Sequence, residues 1–188
     1  TKPGKKDRGL LDACKANTEY ILKRNQFDKG IGIKFKELSQ EMQLQKDLTL
    51  IESYDISHHA GKNAVAGCVA YTREGKANDL YRIYNISKPN WGNDIGSMVE
   101  LIERRFSGVK TRELPDLIVV DGGKTHLKKV LQALEAMNIK NVNAISISKG
   151  VRRKATFDAI HFPNGESVTI NRTSISHQFI QEIRDETH

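Results

Sequence analysis

Apolar residues recur at helical spacing near the start of the chain and at strand-like spacing from residue 48 onward. The spacing predicts an amphipathic helix over residues 8–26 and a second short helix over residues 35–44, and we interpret both as scaffold. Three strand-like runs follow, over residues 48–57, 63–72 and 79–87. Turn-forming residues separate these runs at the short spacing expected of antiparallel neighbours.

The rest of the chain alternates helices with strands. Residues 115–123, "PDLIVVDGG", contain a continuous apolar run, which is typical of a central strand covered on both faces. The pattern predicts further elements at residues 94–106 (helix), 124–138 (helix), 143–150 (strand), 155–162 with 166–170 (hairpin) and 174–188 (helix). This order predicts an α/β fold with a mixed sheet flanked by helices, antiparallel in its first three strands and parallel in those that follow.

The 188 residues are enough for one domain with a proper core. We expect this domain over residues 47–188, preceded by a basic linker and lead-in helices over residues 1–46. No apolar run approaches the ~18 residues that a membrane span needs, and no signal-peptide core follows the basic N-terminus. Because the sequence begins at Thr1 and stops directly after a helical pattern, we expect it to be part of a longer protein.

The net charge of the chain favours a class of partner. Lys and Arg total 30 against 23 acidic residues, a net charge of +7, which favours polyanionic partners such as nucleic acid without establishing one.

Cys14 and Cys68 form no C-x-x-C pair and lie among apolar neighbours. We therefore expect both to be buried free thiols in a reducing compartment.

Two aspartates end apolar strands. Asp55 closes the first strand-like run, and Asp121 closes the central run just before Gly122 and Gly123. Ligand sites of open α/β sheets collect at the carboxyl ends of strands, and the helix that begins near Lys124 offers free N–H groups to an anion. An Asp before Gly-Gly can also simply cap a turn, so both interpretations stay open for Asp121.

A nucleotide-binding P-loop is the tempting alternative, since Gly123, Lys124 and Thr125 match the end of that motif. The motif requires a glycine five positions before Gly123, and Ile118 stands there. This disfavours a nucleotide hydrolase.

Other polar residues allow two interpretations each. Asp94, at the start of a helix, is a first-turn acid or a functional carboxylate. The last helix carries one polar stripe, which is either a solvated face or a surface toward phosphate or metal. The stripe consists of His177, Gln181, Arg184 and His188. The loop over residues 149–154, with four positive charges, is either solvated or in contact with phosphates.

Five motifs, taken in order, resemble a known family. "IESYDISH", "YRIYNI", "PDLIVVDGGKTHL", "SISKG" and "IQEIRDETH" are similar to the C-terminal endonuclease half of the bacterial excision-repair proteins of the UvrC family. The resemblance implies an RNase H-like fold and metal-dependent hydrolysis of a DNA phosphodiester. It places Asp55, Asp121 and His188 in the active site as ligands of Mg²⁺ or Mn²⁺, and Asp94 as a further acidic position. His177 has no counterpart in the family motif, so we assign it to the solvated face.

The resemblance also implies a substrate and partners. The domain is expected to cut damaged double-stranded DNA on the 5′ side of a lesion, together with UvrB, in the bacterial cytoplasm. Our candidates for phosphate contacts are Lys124, Lys149, Arg152, Arg153, Lys154 and Arg184. The family continues past the last histidine into helix-hairpin-helix modules, which leaves open whether His188 is held in place here. The alternative function is that of a non-catalytic RNase H-like nucleic-acid-binding module whose acids are structural.

Overall fold

Eight strands form one sheet in the computed structural model, which describes residues 14–15, 17–18, 30–44, 46–59, 63–107, 113–149 and 158–188. The strands are β1 (Leu50–His59), β2 (Asn63–Thr72), β3 (Gly75–Lys76), β4 (Arg82–Asn85), β5 (Leu117–Asp121), β6 (Asn143–Ser148), β7 (Ala159–His161) and β8 (Ser167–Thr169). The helices are α1 (residues 30–41), α2 (Asp94–Ser107), α3 (Lys124–Ala136) and α4 (Ile175–Thr187).

The sheet is mixed, as predicted. Its order is β3-β2-β1-β5-β6-β7-β8, and β4 pairs with β2. The early strands β1, β2 and β4 pair antiparallel, whereas β1, β5 and β6 run parallel at the centre. The hairpin of β7 and β8 closes the far edge with antiparallel pairs. The predicted fold class is therefore confirmed.

Each face of the sheet is covered by two helices. Successive strand residues point to opposite faces, so the same strand contributes side chains to both layers. On one face, Tyr54 of β1 and Ile118 of β5 pack with apolar residues of α2 and α3. On the other face, Ile51 and Leu117 pack with apolar residues of α1 and α4. The central strand is thus buried on both sides, which explains its continuous apolar run.

Several element bounds differ from the prediction. The third predicted strand is divided into a 3₁₀ turn at Asn78–Leu80 and the short strand β4. The predicted second helix begins earlier, at residue 30, because Ile31 packs in the core together with Phe35 and Leu38. Most of the predicted helix over residues 8–26 lies outside the described residues, although residues 14, 15, 17 and 18 are helical.

The two cysteines do not share one environment. Cys68 is buried, as predicted, whereas Cys14 is exposed, so the prediction for Cys14 is wrong. Among the described residues, no helix is long and apolar enough to cross a membrane.

A buried ion pair joins α2 to β1. Arg105 donates through Nε and Nη2 to the carboxylate of Glu52 over 2.9 to 3.2 Å, and Nη2 also donates to the Glu113 carbonyl at 2.6 Å. The Tyr54 hydroxyl donates to the same carboxylate. Both charged side chains are almost fully buried, at 1% and 0% exposed. Burial alone would lower the pKa of Arg105, but the bonds and charge of Glu52 outweigh it and raise the pKa.

Candidate metal centre

The parallel pairing of β1 with β5 brings the two predicted aspartates together. The register runs from Ile51 opposite Leu117 to Tyr54 opposite Val120, so Asp55 and Asp121 occupy the next step on each strand. Both belong to the set of strand positions that faces α4. Two carboxylates distant in sequence therefore meet at the carboxyl end of β5, whereas β1 continues past Asp55 to His59, so the prediction that Asp55 ends its strand is wrong.

His188 completes the cluster from the end of α4. Its Nδ1 lies 3.2 Å from Asp55 Oδ2. One ligand atom from each of Asp55, Asp121 and His188 lies within 4.8 Å of the others. Carboxylate oxygens and an imidazole nitrogen are all metal ligands, and their spacing is close enough for one ion to contact all three.

The end of α4 is anchored rather than frayed. The Thr187 hydroxyl lies 2.8 Å from Ser53 Oγ on β1 and 2.7 Å from the Ile183 carbonyl, and the backbone N–H of His188 donates to the Arg184 carbonyl at 3.0 Å. Ser53 stands two residues before Asp55 on the same face of β1, so one strand fixes both the carboxylate and the helix end. Sequence reasoning missed this contact, although the shared face of Ser53 and Asp55 follows from strand alternation.

The electrostatics of the cluster favour a bound cation. Burial and, secondly, the nearby Asp55 carboxylate raise the pKa of Asp121, while the positive charges of Lys149, Arg184 and His188 partly oppose this. Two carboxylates held close in a partly buried place repel each other. A divalent cation between them would remove that repulsion. Metal binding would therefore offset the free-energy cost of holding two carboxylates close together.

Asp94 lies outside this cluster. Its carboxylate pairs with Nε2 of His58, at the first turn of α2. His58 belongs to the alternating set of β1 residues that includes Tyr54 and Ile56, which face α2 and α3, whereas Asp55 faces α4. The structure therefore brings Asp94 to the end of the same strand but joins it to a histidine that the sequence prediction did not select.

The predicted phosphate-binding residues differ in the contacts that their side chains make. Lys149 and Arg184 are near enough to Asp121 to affect its pKa. Arg184 is engaged by Asp158 at 2.8 Å and by Asp185 at 3.0 Å, so its guanidinium is not free for a phosphate in this state. Lys124 donates from Nζ to the Gly165 carbonyl at 3.0 Å. The remaining candidates, Arg152, Arg153 and Lys154, lie outside the described residues.

His177 is buried, so its assignment to a solvated face is wrong. The side chain of the residue is 4% exposed, and its Nδ1 accepts the backbone N–H of Asn171 at 2.8 Å. Its Nε2 lies 3.5 Å from Glu41 Oε1 on α1. The polar stripe of α4 turns inward at this position because α1 packs against it, and the sequence of α4 alone contains no sign of α1.

Comparison with known proteins identifies the family. The model of the UvrC RNase H endonuclease domain matches residues 39–188. The chain belongs to this family. It is 32% identical over 181 residues to UvrABC system protein C of Coxiella burnetii (strain CbuK_Q154), which covers 95% of this chain and 29% of that protein. It is 37% identical over 158 residues to the protein of the same name from Dichelobacter nodosus (strain VCS1703A), covering 82% of this chain and 26% of that protein.

The chain spans less than a third of the length of these relatives. Solved structures with a similar arrangement include endonuclease V of Ciona intestinalis, at 14% identity and a TM-score of 0.43, covering 90% of this chain and 70% of that one. Human ENDOV aligns at 11% identity with a TM-score of 0.37, covering 74% of this chain and 83% of that one. The match to the family model confirms the predicted family resemblance and, together with the mixed sheet, the RNase H-like fold class.

Proposed function

We propose that this UvrC domain is a divalent-metal-dependent endonuclease that hydrolyses a phosphodiester 5′ to a lesion in damaged double-stranded DNA. The observation that carries the proposal is the convergence of Asp55, Asp121 and His188 within 4.8 Å. We also propose that residues 47–188 form the endonuclease unit, with residues 1–46 leading into it and α1 packed on its sheet.

We propose different roles for the three residues of the cluster. Asp55 and Asp121 would hold Mg²⁺ or Mn²⁺, and His188 would ligate the ion or move a proton. The bound ion would supply a deprotonated water and stabilise the charge that develops at phosphorus. Lys149, whose positive charge acts on Asp121, would attract the DNA backbone toward the carboxylates, whereas Arg184 is held by Asp158 and Asp185. Asp94, held by His58, is proposed as an outer acidic position.

The proposed partners are damaged duplex DNA and UvrB. The name of the relatives, UvrABC system protein C, supports a place in a multi-protein excision system. Phosphate contacts carry no information about a lesion, so lesion choice would come from such partners. Incision of a 5′-labelled, lesion-containing duplex with UvrB and its excision partners tests the proposal. The expected product is one cut 5′ to the lesion, with a 3′-hydroxyl and a 5′-phosphate, that requires Mg²⁺ or Mn²⁺.

A non-catalytic nucleic-acid-binding module is the alternative. It predicts DNA binding that neither needs a divalent cation nor leads to cutting. Two like charges kept close together without a bound ion cost stability, and the convergence of three potential ligands is therefore better explained by metal binding. Binding without any metal-dependent cut in the assay above would favour the alternative.

His188→Ala should lose most of the incision rate, because it removes the one non-carboxylate group of the cluster. Gln181→Ala is the matched control: Gln181 lies on the same stripe of α4, two turns before His188, and its change should leave the rate within about twofold. The measurement is incision rate alongside thermal melting. Equal rate losses in both variants, with matching losses of melting temperature, would assign His188 a structural role.

His177→Ala is unsuitable as a control, because His177 is buried and accepts the Asn171 N–H. We expect this variant to lose thermal stability, because it removes a buried side chain together with the hydrogen bond that this side chain accepts, at about 0.5–1.5 kcal/mol for the bond alone.

Neutralising Arg152, Arg153 and Lys154 together should weaken DNA binding for all sequences alike. Each lost phosphate contact lowers the slope of log affinity against log salt by about 0.9. Binding titrations between roughly 50 and 200 mM salt measure the effect. An unchanged slope would mean that these three side chains are merely solvated.

A further inference from the structure

A groove adjoins the metal centre on the face of the sheet that carries α4. It encloses about 560 Å³ and includes Asp55 itself in its lining. The other walls are largely apolar, formed by Val65, Val69, Tyr81 and Ile83, with Thr187 of α4 at one side. The volume lies within the range of small-molecule sites in proteins. The groove therefore opens from the candidate metal ligands outward over β2 and β4.

The strand register explains the shape of the groove. Asp55 pairs with Gly67, and Gly67 pairs with Ile83, so these three positions form one row across β1, β2 and β4 on the same face. Two strand spacings separate the ends of the row, about 10 Å. The middle position has no side chain and is bordered by the Thr187 carbonyl of α4, so the row runs from a carboxylate at one end to a branched apolar side chain at the other.

Ile83 is unusually exposed for its size. Its relative exposure is 78%, the highest among the large hydrophobic residues that the structure describes as exposed. It stands on β4, which pairs with β2 but is off the main path of the sheet. Branched apolar side chains at such positions contact or wedge against nucleobases in many DNA-binding proteins. Tyr81, which also lines the groove, adds an aromatic ring on which a base can stack.

We propose that this groove holds the deoxyribose and base of a nucleotide adjacent to the scissile phosphate. The proposal rests on the proposed function and names the part of the DNA that lies next to the bond to be cut. Because Asp55 belongs both to the metal centre and to the groove wall, a strand whose phosphate reaches the metal ligands can lay its neighbouring nucleotide along the groove toward Ile83. The sugar and base present apolar surface, which matches Val65, Val69 and Ile83.

Gly67→Val tests the groove by filling it. A Cβ at Gly67 would meet the Thr187 carbonyl oxygen at 3.6 Å, an ordinary contact distance, so the position has room for a Cβ. We expect unchanged thermal melting and a loss of at least about tenfold in incision, the scale of a lost base-stacking contact. Ile83→Ala, which alters an exposed side chain, should give a loss in the same direction. Val168→Ala is the control, since Val168 is exposed on β8 at the opposite edge of the sheet.

Photo-cross-linking gives a readout that does not require cutting. Duplexes carry 5-iododeoxyuridine at single positions on either side of the incision site and are irradiated with the protein in EDTA. We expect a cross-link to Tyr81, found by mass spectrometry, only from a nucleotide adjacent to the scissile phosphate, and its strong reduction in Gly67→Val. Cross-links that do not depend on position, or wild-type incision by both Gly67→Val and Ile83→Ala, would overturn the proposal.

The two proposals can fail separately. If the wild type cross-links at Tyr81 as expected but never cuts, the endonuclease proposal is wrong and the groove is still a nucleotide site. If the wild type cuts but Tyr81 does not cross-link, the groove proposal alone is wrong. If both groove variants disturb assembly with UvrB and leave cross-linking unchanged, the occupant is a protein segment, which also contradicts the proposal.

Discussion

Asp55→Asn and Asp121→Asn are each expected to abolish incision while leaving DNA affinity within a few-fold. Each change keeps the shape of the side chain but removes one anionic ligand from a cluster of three. A divalent cation needs these charges to bind, and hydrolysis depends on the cation. DNA affinity should persist because phosphate contacts come from positive side chains elsewhere on the surface. Single-turnover incision assays and DNA titrations measure the two quantities.

Thermal melting separates a lost metal site from a damaged fold. Because the folded-state pKa of Asp121 is raised, its ionised form at neutral pH destabilises the metal-free fold, and this cost disappears as pH falls through the raised pKa. At neutral pH, Asp121→Asn should therefore melt no lower than the metal-free wild type. Mn²⁺ at about 100 times its dissociation constant should stabilise the wild type by about 2.7 kcal/mol and have little effect on either variant.

Asp47→Asn provides the matched control for these variants. Asp47 is a 61% exposed carboxylate that pairs with Arg73 at 3.1 Å, and it precedes the start of β1, whereas Asp55 lies in the second half of that strand. Its change should leave both incision and the response to Mn²⁺ as in the wild type. Incision near the wild-type rate by Asp55→Asn or Asp121→Asn would rule out this cluster as the active site.

The sequence supports the prediction of the metal centre because two of its ligands follow apolar strand patterns, although only Asp121 ends its strand and β1 continues past Asp55 to His59. The runs that precede Asp55 and Asp121 are strong strand patterns, and parallel strands deliver their carboxyl ends to one edge of a sheet. What the patterns do not contain is the register, which places Asp55 and Asp121 at equivalent steps on β1 and β5. That register depends on long-range packing, as does the anchoring of Thr187 on Ser53.

The errors in the prediction have the same physical origin. The polar stripe of α4 places His177 in solvent only when α1, which buries it, is left out of account. The sequence alone predicts that Arg184 is free to contact a phosphate. In the structure its guanidinium forms an ion pair with Asp158, which lies in the segment that leads into β7. The pairing of His58 with Asp94 joins β1 to α2 and leaves no local pattern in either segment. In each case the decisive partner comes from a distant part of the chain.

Arg105→Met should destabilise the fold more than any single substitution at the metal centre or in the groove. Removing Arg105 leaves the Glu52 carboxylate, which is 0% exposed, with an uncompensated negative charge in the core. Breaking a buried pair in this way costs about 3–5 kcal/mol. For a chain of this size such a loss lowers the melting temperature by roughly 10 °C. Arg104→Met is the control, since Arg104 is 46% exposed and should change stability by less than about 1 kcal/mol.

The double variant Glu52→Met with Arg105→Met distinguishes the cost of an unpaired charge from the loss of packing. Two apolar side chains of similar volume should recover most of the stability, because replacing both members of a buried pair is often neutral. Urea unfolding of the two single variants and the double variant gives the coupling energy between them. Purely additive losses would mean that packing, and not charge, dominates at this position.

The same variants connect the fold to the site. Glu52 stands three residues before Asp55 on β1, and Arg105 lies on α2, whose first residue is Asp94. Removing this ion pair should weaken the attachment of α2 to β1. The pairing of β1 with β5 would still hold Asp55 beside Asp121. We therefore expect Arg105→Met to keep metal-dependent stabilisation and incision well below its melting temperature and to lose both as it approaches that temperature. Full loss of incision by a folded Arg105→Met at low temperature would show instead that the position of α2, and with it Asp94, is required for the chemistry.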